Sequence, residues 1–191
     1  MKLITVSGPH GAGKEEIVTR LLRAFPCLSR IVPHTSRARR PSEMDGREYH
    51  FVSNEVLLEM VRRGEFVFHA QIRSHHSGTT YAELLDPRHR VAVVDITPFG
   101  ATLMRNVVCQ NGGRTLSFFF HASWQERKRR IAVRQPYLTD ADVEWMLNND
   151  PVHSTLERYP EFLIIPNPDG WLDETAATVI AAVRQFLAEK S

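Results

Sequence analysis

The sequence has little of two things that would place it in a specialised class: long apolar runs and cysteine. No stretch of the 191 residues approaches the roughly 18 apolar residues of a membrane span, and the N-terminal apolar run is too short for a signal peptide. Cys27 and Cys109 lie far apart, outside any CxxC pattern. This excludes a disulfide framework and a cysteine zinc site, and it predicts buried thiols in a reducing compartment. We therefore predict a cytoplasmic protein with no membrane partner.

Lysine is also scarce, and the overall charge is small. The formal net charge is +2, so no global field points to nucleic acid, and we predict no nucleic-acid partner. Of the 24 basic residues, 20 are Arg and only 4 are Lys. A GC-rich genome could explain this bias. However, arginines are concentrated in two clusters, Arg37 to Arg47 and Arg127 to Arg134, and arginine is the side chain suited to bidentate phosphate binding.

Apolar patterning predicts an α/β fold with a parallel sheet flanked by helices. Continuous apolar runs predict strands at 2–7, 91–96, 116–120 and 162–165. Helical spacing predicts helices at 16–25, 99–109, 123–134, 139–149 and 171–190, and one that follows a Ser53 N-cap. The segment 33–80 differs, because short strands at 49–52 and 66–72 and a turn at 74–78 indicate a small inserted lobe.

A glycine-rich segment between the first predicted strand and helix has the GxxxxGK pattern of a phosphate-binding loop. Its residues are Gly8, Pro9, His10, Gly11, Ala12, Gly13 and Lys14. In this pattern glycines let the backbone wrap around an anion, backbone N–H groups point at phosphate oxygens, and the lysine reaches the terminal phosphates. The alternative is a plain glycine-rich turn, but the position between strand and helix favours ATP binding, with Lys14 catalytic.

Two acidic residues are candidate Mg²⁺ ligands. Glu15 stands where Ser or Thr usually follows the loop lysine. It either binds Mg²⁺ directly, signals a decayed ATP site, or is an ordinary first-turn acid favoured by the helix dipole. Asp95 ends a buried strand, at the sheet edge where ligands bind in open α/β folds, and it could hold Mg²⁺ through water or simply cap the next turn.

A second segment has the composition of an anion site. It reads Thr35-Ser36-Arg37-Ala38-Arg39-Arg40-Pro41, then Glu43, Asp45-Gly46 and Tyr49-His50-Phe51-Val52-Ser53. Two guanidinium forks and a phenol hydroxyl at Arg37, Arg40 and Tyr49 would satisfy a phosphate dianion, although an arginine-rich loop can also be a solvated face. Together with the upstream phosphate loop, this segment resembles the guanylate kinase family.

The resemblance runs from Lys2 to about Phe186 and implies a fold and a reaction. The implied fold is a P-loop kinase fold in a single domain, 1–191. Its core would comprise 1–32 and 88–191, its acceptor-binding lobe about 33–87 and its lid about 130–147. The implied reaction is ATP-dependent phosphoryl transfer, with Mg²⁺, to a small phosphorylated acceptor.

The resemblance also implies roles for individual residues. Arg37, Arg40, Tyr49 and Thr79 would hold the acceptor phosphate.

On the donor side, Arg130 and Arg134 would be lid arginines that touch ATP phosphates and stabilise the transferring group. They lie with Arg127 on one helix face, which could also be an exposed basic surface. Asn167 would contact adenine.

The sequence departs from the family at the positions that read the guanine base. Phe68, Thr97 and Pro33 stand where the family has a carboxylate, a second acid and a small hydroxyl residue, and Ser77 and Met146 replace a tyrosine and a lid arginine. The predicted acceptor is therefore GMP or another monophosphate.

Two alternatives to this reaction remain open. One is a sugar-phosphate kinase like the ribose 1,5-bisphosphate kinases, which share an acidic residue after the loop lysine. The other is a catalytically inactive binding module like the guanylate kinase-like domains of membrane-associated scaffolds, which share the pattern Pro33-His34-Thr35-x-Arg37.

Overall fold

The computed structural model describes residues 1–40, 43–72, 74–148, 150 and 159–189. Strands in this part of the chain are β1 Lys2–Ser7, β2 Leu28–Arg30, β3 His34–Thr35, β4 His50–Phe51, β5 Phe66–Ile72, β6 His75–Thr80, β7 Val91–Asp95, β8 Arg114–His121 and β9 Phe162–Pro166. Helices are α1 Lys14–Ala24, α2 Asn54–Arg62, α3 Tyr81–Leu84, α4 Pro98–Gln110, α5 Trp124–Arg134, α6 Asp140–Asn148 and α7 Leu172–Ala188.

The main sheet has, in the described residues, five parallel strands in the order β2-β7-β1-β8-β9. β1 lies in the middle, where Leu3 is paired with Ala92 of β7 and Thr115 of β8. Ile4 packs in a core with α1 and α7, whereas Leu3 packs in a second core with α4. Burial on both faces explains the continuous apolar runs, and the predicted α/β fold with helices flanking a parallel sheet is confirmed.

A second, smaller sheet has the order β4-β3-β6-β5. The predicted turn at 74–78 is wrong, because His75–Thr80 forms β6, which pairs antiparallel with β5. Ser77 and Gly78 are typical of turns, but cross-strand pairing overrides that local preference. Gly78 is required inside this strand, since a Cβ there would lie 2.5 Å from the carbonyl oxygen of Phe68.

One strand was missed by the sequence analysis, and one prediction about the cysteines is wrong. The edge strand β2, where Leu28 is paired with Val91, was not predicted because three residues are too short for a pattern. Cys27 and Cys109 are both exposed, not buried. Cys27 lies between α1 and β2, and Cys109 follows the buried Val108 on α4, one position off the face that packs on the sheet.

Side-chain caps set the starts of several helices. The Ser53 side chain accepts a hydrogen bond from the Val56 N–H and begins α2, as predicted. A capping box between Ser123 and Glu126 begins α5. Within the described residues, no helix is both long and apolar enough to cross a membrane.

Candidate active site

The phosphate loop connects the central strand β1 to α1. Gly8, Gly11 and Gly13 have φ values of 142°, 78° and 88°, a region that favours glycine. A Cβ on Gly8 would lie 2.5 Å from the carbonyl oxygen of Phe120, and one on Gly13 would lie 2.3 Å from Nδ2 of Asn167. The loop is therefore a narrow backbone cradle at the N-terminus of α1, which is the position a phosphate-binding loop requires.

Side chains from distant segments bind the carbonyl groups of this loop. Asn167 Nδ2 donates to the Ala12 carbonyl (2.8 Å), and the Arg130 guanidinium donates to the carbonyls of Gly11 (3.3 Å) and Asn167 (2.9 Å). Asn167 is buried, and its Oδ1 has no hydrogen-bond partner among the described residues. The structure thus brings Asn167 and Arg130 together at the loop.

A cavity of about 310 Å³ opens beside the loop. It is lined by Gly13, Glu16, Arg130, Asn167, Pro168, Asp169, Gly170 and Leu172. Its position next to Gly13 and Asn167 makes it the natural space for the part of a nucleotide that lies outside the phosphate cradle.

The three arginines on one face of α5 differ in exposure. The Arg127 side chain is fully buried, that of Arg130 is 25% exposed, and that of Arg134 is 62% exposed. Arg134 donates to Glu15 Oε2 at 3.3 Å. The face is therefore not simply a solvated basic surface, since all three side chains contact the phosphate loop or the first turn of α1.

Asp95, Lys14 and Glu15 lie at the carboxyl edge of the main sheet. Lys14 Nζ donates to the Pro9 carbonyl at 3.2 Å. Burial raises the pKa of Asp95, the Lys14 ammonium opposes that shift, and the Glu15 charge adds to it. No group of three His, Cys, Asp or Glu side chains in the described part of the chain could hold a metal ion. An ion here would need phosphate oxygens and water to complete its shell, as Mg²⁺ at phosphate sites usually does.

Arg37 is held by its neighbours in the arginine-rich segment. Its guanidinium donates twice to the Glu43 carboxylate (2.5 and 2.7 Å) and lies over the Tyr49 ring, 4.9 Å from the centroid. Hydrogen bonds from Arg37 lower the pKa of Glu43, so this acid is ionised. The Arg40 side chain is exposed and its backbone N–H reaches Glu43, whereas Thr79 is buried on β6. The structure thus joins Arg37 with Tyr49 but leaves the Arg40 guanidinium in solvent.

Tyr49 connects the two anion-binding segments. Burial raises the pKa of its phenol, the Asp95 charge raises it further, and the charges of Arg37 and Arg30 lower it. The Lys14 ammonium acts on the same carboxyl. Asp95, at the end of β7, is therefore within electrostatic reach of both the acceptor segment and the phosphate loop.

Arg30 and Glu43 are site residues that the sequence did not single out. Arg30 ends β2 at the carboxyl edge, and its guanidinium lies 3.9 Å from Glu15. Its place at the end of a strand was the available signal, but β2 is too short to be recognised from the sequence. Glu43 belongs to the recognised motif, yet nothing in the sequence shows that it clamps Arg37.

The positions expected to read the acceptor base have other contacts. The Phe68 ring packs edge-on against Phe99 at 6.1 Å, and Thr97 caps α4 by accepting from the Gly100 N–H. The Pro33 carbonyl accepts from the His50 N–H. None of Phe68, Thr97 and Pro33 supplies a carboxylate.

A glycine cradle between the central strand of a parallel sheet and the N-terminus of the following helix defines the class of P-loop phosphotransferases. The guanylate kinase family model matches residues 1–163. A guanylate kinase of Alkalilimnicola ehrlichii is 32% identical over 173 residues, covering 81% of this chain and 83% of that relative. The chain belongs to the guanylate kinase family, whose members are kinases, and the predicted resemblance is confirmed.

Other comparisons agree with this assignment. A guanylate kinase of Thiobacillus denitrificans is 45% identical over 78 residues, which cover 41% of this chain and 37% of the relative. The crystal structure of guanylate kinase from Anaplasma phagocytophilum has a TM-score of 0.68 at 20% identity, covers 98% of this chain and 87% of that chain, and so shows the fold. The family model and the curated relatives do not favour the sugar-phosphate kinase or the inactive binding module.

Proposed function

We propose that this chain transfers the γ-phosphoryl group of ATP to the phosphate of a nucleoside monophosphate, with GMP as the acceptor. Family membership supports the reaction, and the names of the relatives supply the acceptor. The observation that carries the proposal is the phosphate loop, a narrow glycine cradle at the N-terminus of α1 in which a Cβ on Gly8 or Gly13 would lie within 2.5 Å of another residue. Arg37, fixed by Glu43, supplies the second phosphate-binding group that the alignment of a donor and an acceptor requires.

The donor side would bind ATP through the cradle from Gly8 to Lys14. The contacts that a Cβ would make at Gly8 and Gly13, and the unpartnered Oδ1 of Asn167, are features that fit a nucleotide. Lys14 would move from the Pro9 carbonyl to the terminal phosphates.

Glu15 and Asp95 fit the preference of Mg²⁺ for oxygen ligands, and the ion, when bound, would neutralise charge on the phosphates. Arg30 and Arg134 lie on either side of Glu15, at 3.9 and 3.3 Å. This arrangement lessens the repulsion that a carboxylate would otherwise exert on an incoming phosphate.

The acceptor side would hold the monophosphate through Arg37, Arg40, Tyr49 and Thr79. Arg37 is already oriented by Glu43, so little ordering is needed when a phosphate arrives. No general base is required beyond a positioned acceptor oxygen, because phosphoryl transfer depends mainly on alignment and electrostatics.

The residues at about 33–87 would act as the acceptor-binding lobe, and those at about 130–147 as the lid. The second sheet, β4-β3-β6-β5, lies within the first range, and α6 with the end of α5 lies within the second. Closure of the lid would bring Arg130 and Arg134 onto the transferring group and exclude water.

An ADP-release assay with ATP, Mg²⁺ and a panel of acceptors tests the proposal. The panel comprises GMP, the other nucleoside monophosphates and ribose phosphates. We expect turnover with GMP. ADP binding without turnover of any acceptor would overturn the proposed activity, and turnover with ribose phosphates alone would overturn the proposed acceptor.

A further inference from the structure

Arg127 and Asp150 form an ion pair directly behind the phosphate loop. The Arg127 side chain is 0% exposed and that of Asp150 is 1% exposed, with Nη2 and Oδ2 3.0 Å apart. Arg127 Nε donates to the His10 carbonyl (2.8 Å), and the His10 backbone N–H donates to Asp150 Oδ2 (2.7 Å). The pair thus binds both backbone polar groups of one loop residue.

Stability alone does not account for two charges at this position. Taking an ion pair out of water is costly, and apolar side chains of similar volume are often as stable or more so. Nη1 of Arg127 is buried and has no hydrogen-bond partner among the described residues. One nitrogen of the guanidinium therefore lacks a hydrogen-bond acceptor among these residues. What Arg127 provides, and an apolar side chain could not, is the hydrogen bond to the His10 carbonyl.

The backbone of α5 also contacts the phosphate loop at Arg127. A Cβ on Gly11 would lie 2.9 Å from the carbonyl oxygen of Arg127 and 3.0 Å from its Cα. The loop thus lies directly against α5, and the buried Arg127 guanidinium faces the loop backbone. Arg130 and Arg134, one and two turns further on, are the partly exposed members of the same face. Arg127 can therefore influence a nucleotide only through the loop.

We propose that Arg127 and Asp150 are positioning residues for the nucleotide, which fix the backbone groups of His10 and so hold the phosphate loop in its binding conformation. The inference rests on the proposed function, because it concerns the same donor site. Without the pair, the His10 groups are released and the loop must be ordered when ADP or ATP binds, which weakens affinity. Arg37 and Tyr49 lie in another segment, so monophosphate affinity does not change.

The test is a variant that removes both charges, Arg127→Leu/Asp150→Leu, titrated by calorimetry with Mg–ADP and separately with GMP. We expect the Kd for ADP to rise about tenfold or more, the change that loss of one charge-assisted hydrogen bond produces, while the Kd for GMP stays unchanged. The melting temperature should stay close to that of the parent. Lys128→Ala is the matched control, since Lys128 lies on the same helix and pairs with Glu144, away from the loop.

Two conservative variants keep the test decisive if the double variant does not fold. Asp150→Asn keeps an acceptor for the His10 N–H but leaves the buried Arg127 charge unpaired, so we expect a lower melting temperature and ADP binding within about threefold of the parent. Arg127→Lys replaces the two nitrogens that contact His10 and Asp150, Nε and Nη2, with a single ammonium at another position, and we expect about tenfold weaker binding.

An ADP affinity equal to that of the parent in the double variant or in Arg127→Lys would overturn the proposal, as would parallel losses for ADP and GMP. Titration with ADP needs no turnover, so the proposal can be tested even if the chain proves inactive as a kinase. Failure of GMP to bind the parent would count against the proposed acceptor only.

Discussion

The phosphate loop and the arginine-rich acceptor segment are held in place in different ways. The loop is bound by Arg130, Asn167 and Asp150, whose contacts with it span 119, 155 and 140 residues of sequence. In contrast, Arg37 is clamped by Glu43, only six residues away. The donor site is therefore a product of the whole core, whereas the acceptor site is largely organised by one short segment.

This difference predicts how each half responds to change. A substitution behind the loop alters contacts between remote elements and the loop backbone, so it should weaken ATP affinity and leave acceptor binding intact. A substitution in the acceptor segment should change acceptor binding and leave the donor side intact. The following variants test this contrast.

Lys14→Ala should have the largest effect. Its Nζ would reach the terminal phosphates of ATP, and we expect transfer to fall by about 10²–10³-fold or more, as for loss of other charge-stabilising groups. Initial rates of ADP release measure the loss, and the melting temperature checks the fold. Full activity in this variant would contradict the proposed mechanism.

Arg37→Ala should act on the acceptor alone. Loss of a charge-assisted contact to phosphate should raise the acceptor KM by about 10–100-fold and leave the ATP KM unchanged. Arg47→Ala is the control, since Arg47 lies in the same segment and its side chain is 59% exposed. An equal rise in the ATP KM would show that the two halves are not independent.

Asp95 should impose an acid limb on the pH profile. Burial raises its pKa above the ordinary value, so its carboxylate, the form that can assist Mg²⁺, is present above that raised pKa and is lost as the pH falls through it. We expect kcat/KM for Mg–ATP to fall about tenfold per pH unit below it. Asp95→Asn should remove this limb at the cost of lower activity. A limb that persists in Asp95→Asn would assign it to another group.

Substitutions of Glu15 should have the smallest effect on activity. If Glu15 binds Mg²⁺, Glu15→Ala should raise the Mg²⁺ concentration for half-maximal activity by about three- to tenfold, while Glu15→Ser should restore part of it through a hydroxyl ligand. If Glu15 is only a first-turn acid, its removal should strengthen ATP binding, because a negative charge near the phosphates disappears. Activity measured against Mg²⁺ distinguishes the two outcomes.

Much of the core could be predicted because its strands are long apolar runs buried on both faces. Val91–Asp95 and Phe162–Pro166 match their predicted strands within one residue at either end. β2 and β6 were missed, because three residues carry no pattern and because β6 is stabilised by pairing with β5 rather than by its own residues. Local preference cannot reveal structure that depends on a remote partner.

The site shows the same limit. The loop motif and the arginine motif are contiguous in sequence, so their residues could be named, Arg37 and Tyr49 among them. The residues that hold the loop from other segments could not be named, since nothing in the sequence links Asp150 to His10 across 140 residues. Arg127 looked like Arg130 and Arg134, and only burial separates them.

The central position of β1 has a consequence for synthesis. It is the first strand in the chain, yet its partners β7 and β8 follow 84 or more residues later, at Val91 and Arg114. At a synthesis rate of about 5–20 residues per second, both edges of this apolar strand remain unpaired for several seconds during translation. The cradle that begins at its end therefore cannot form as it emerges, and this protein should rely on chaperones early in translation more than folds whose neighbouring strands are also neighbours in sequence.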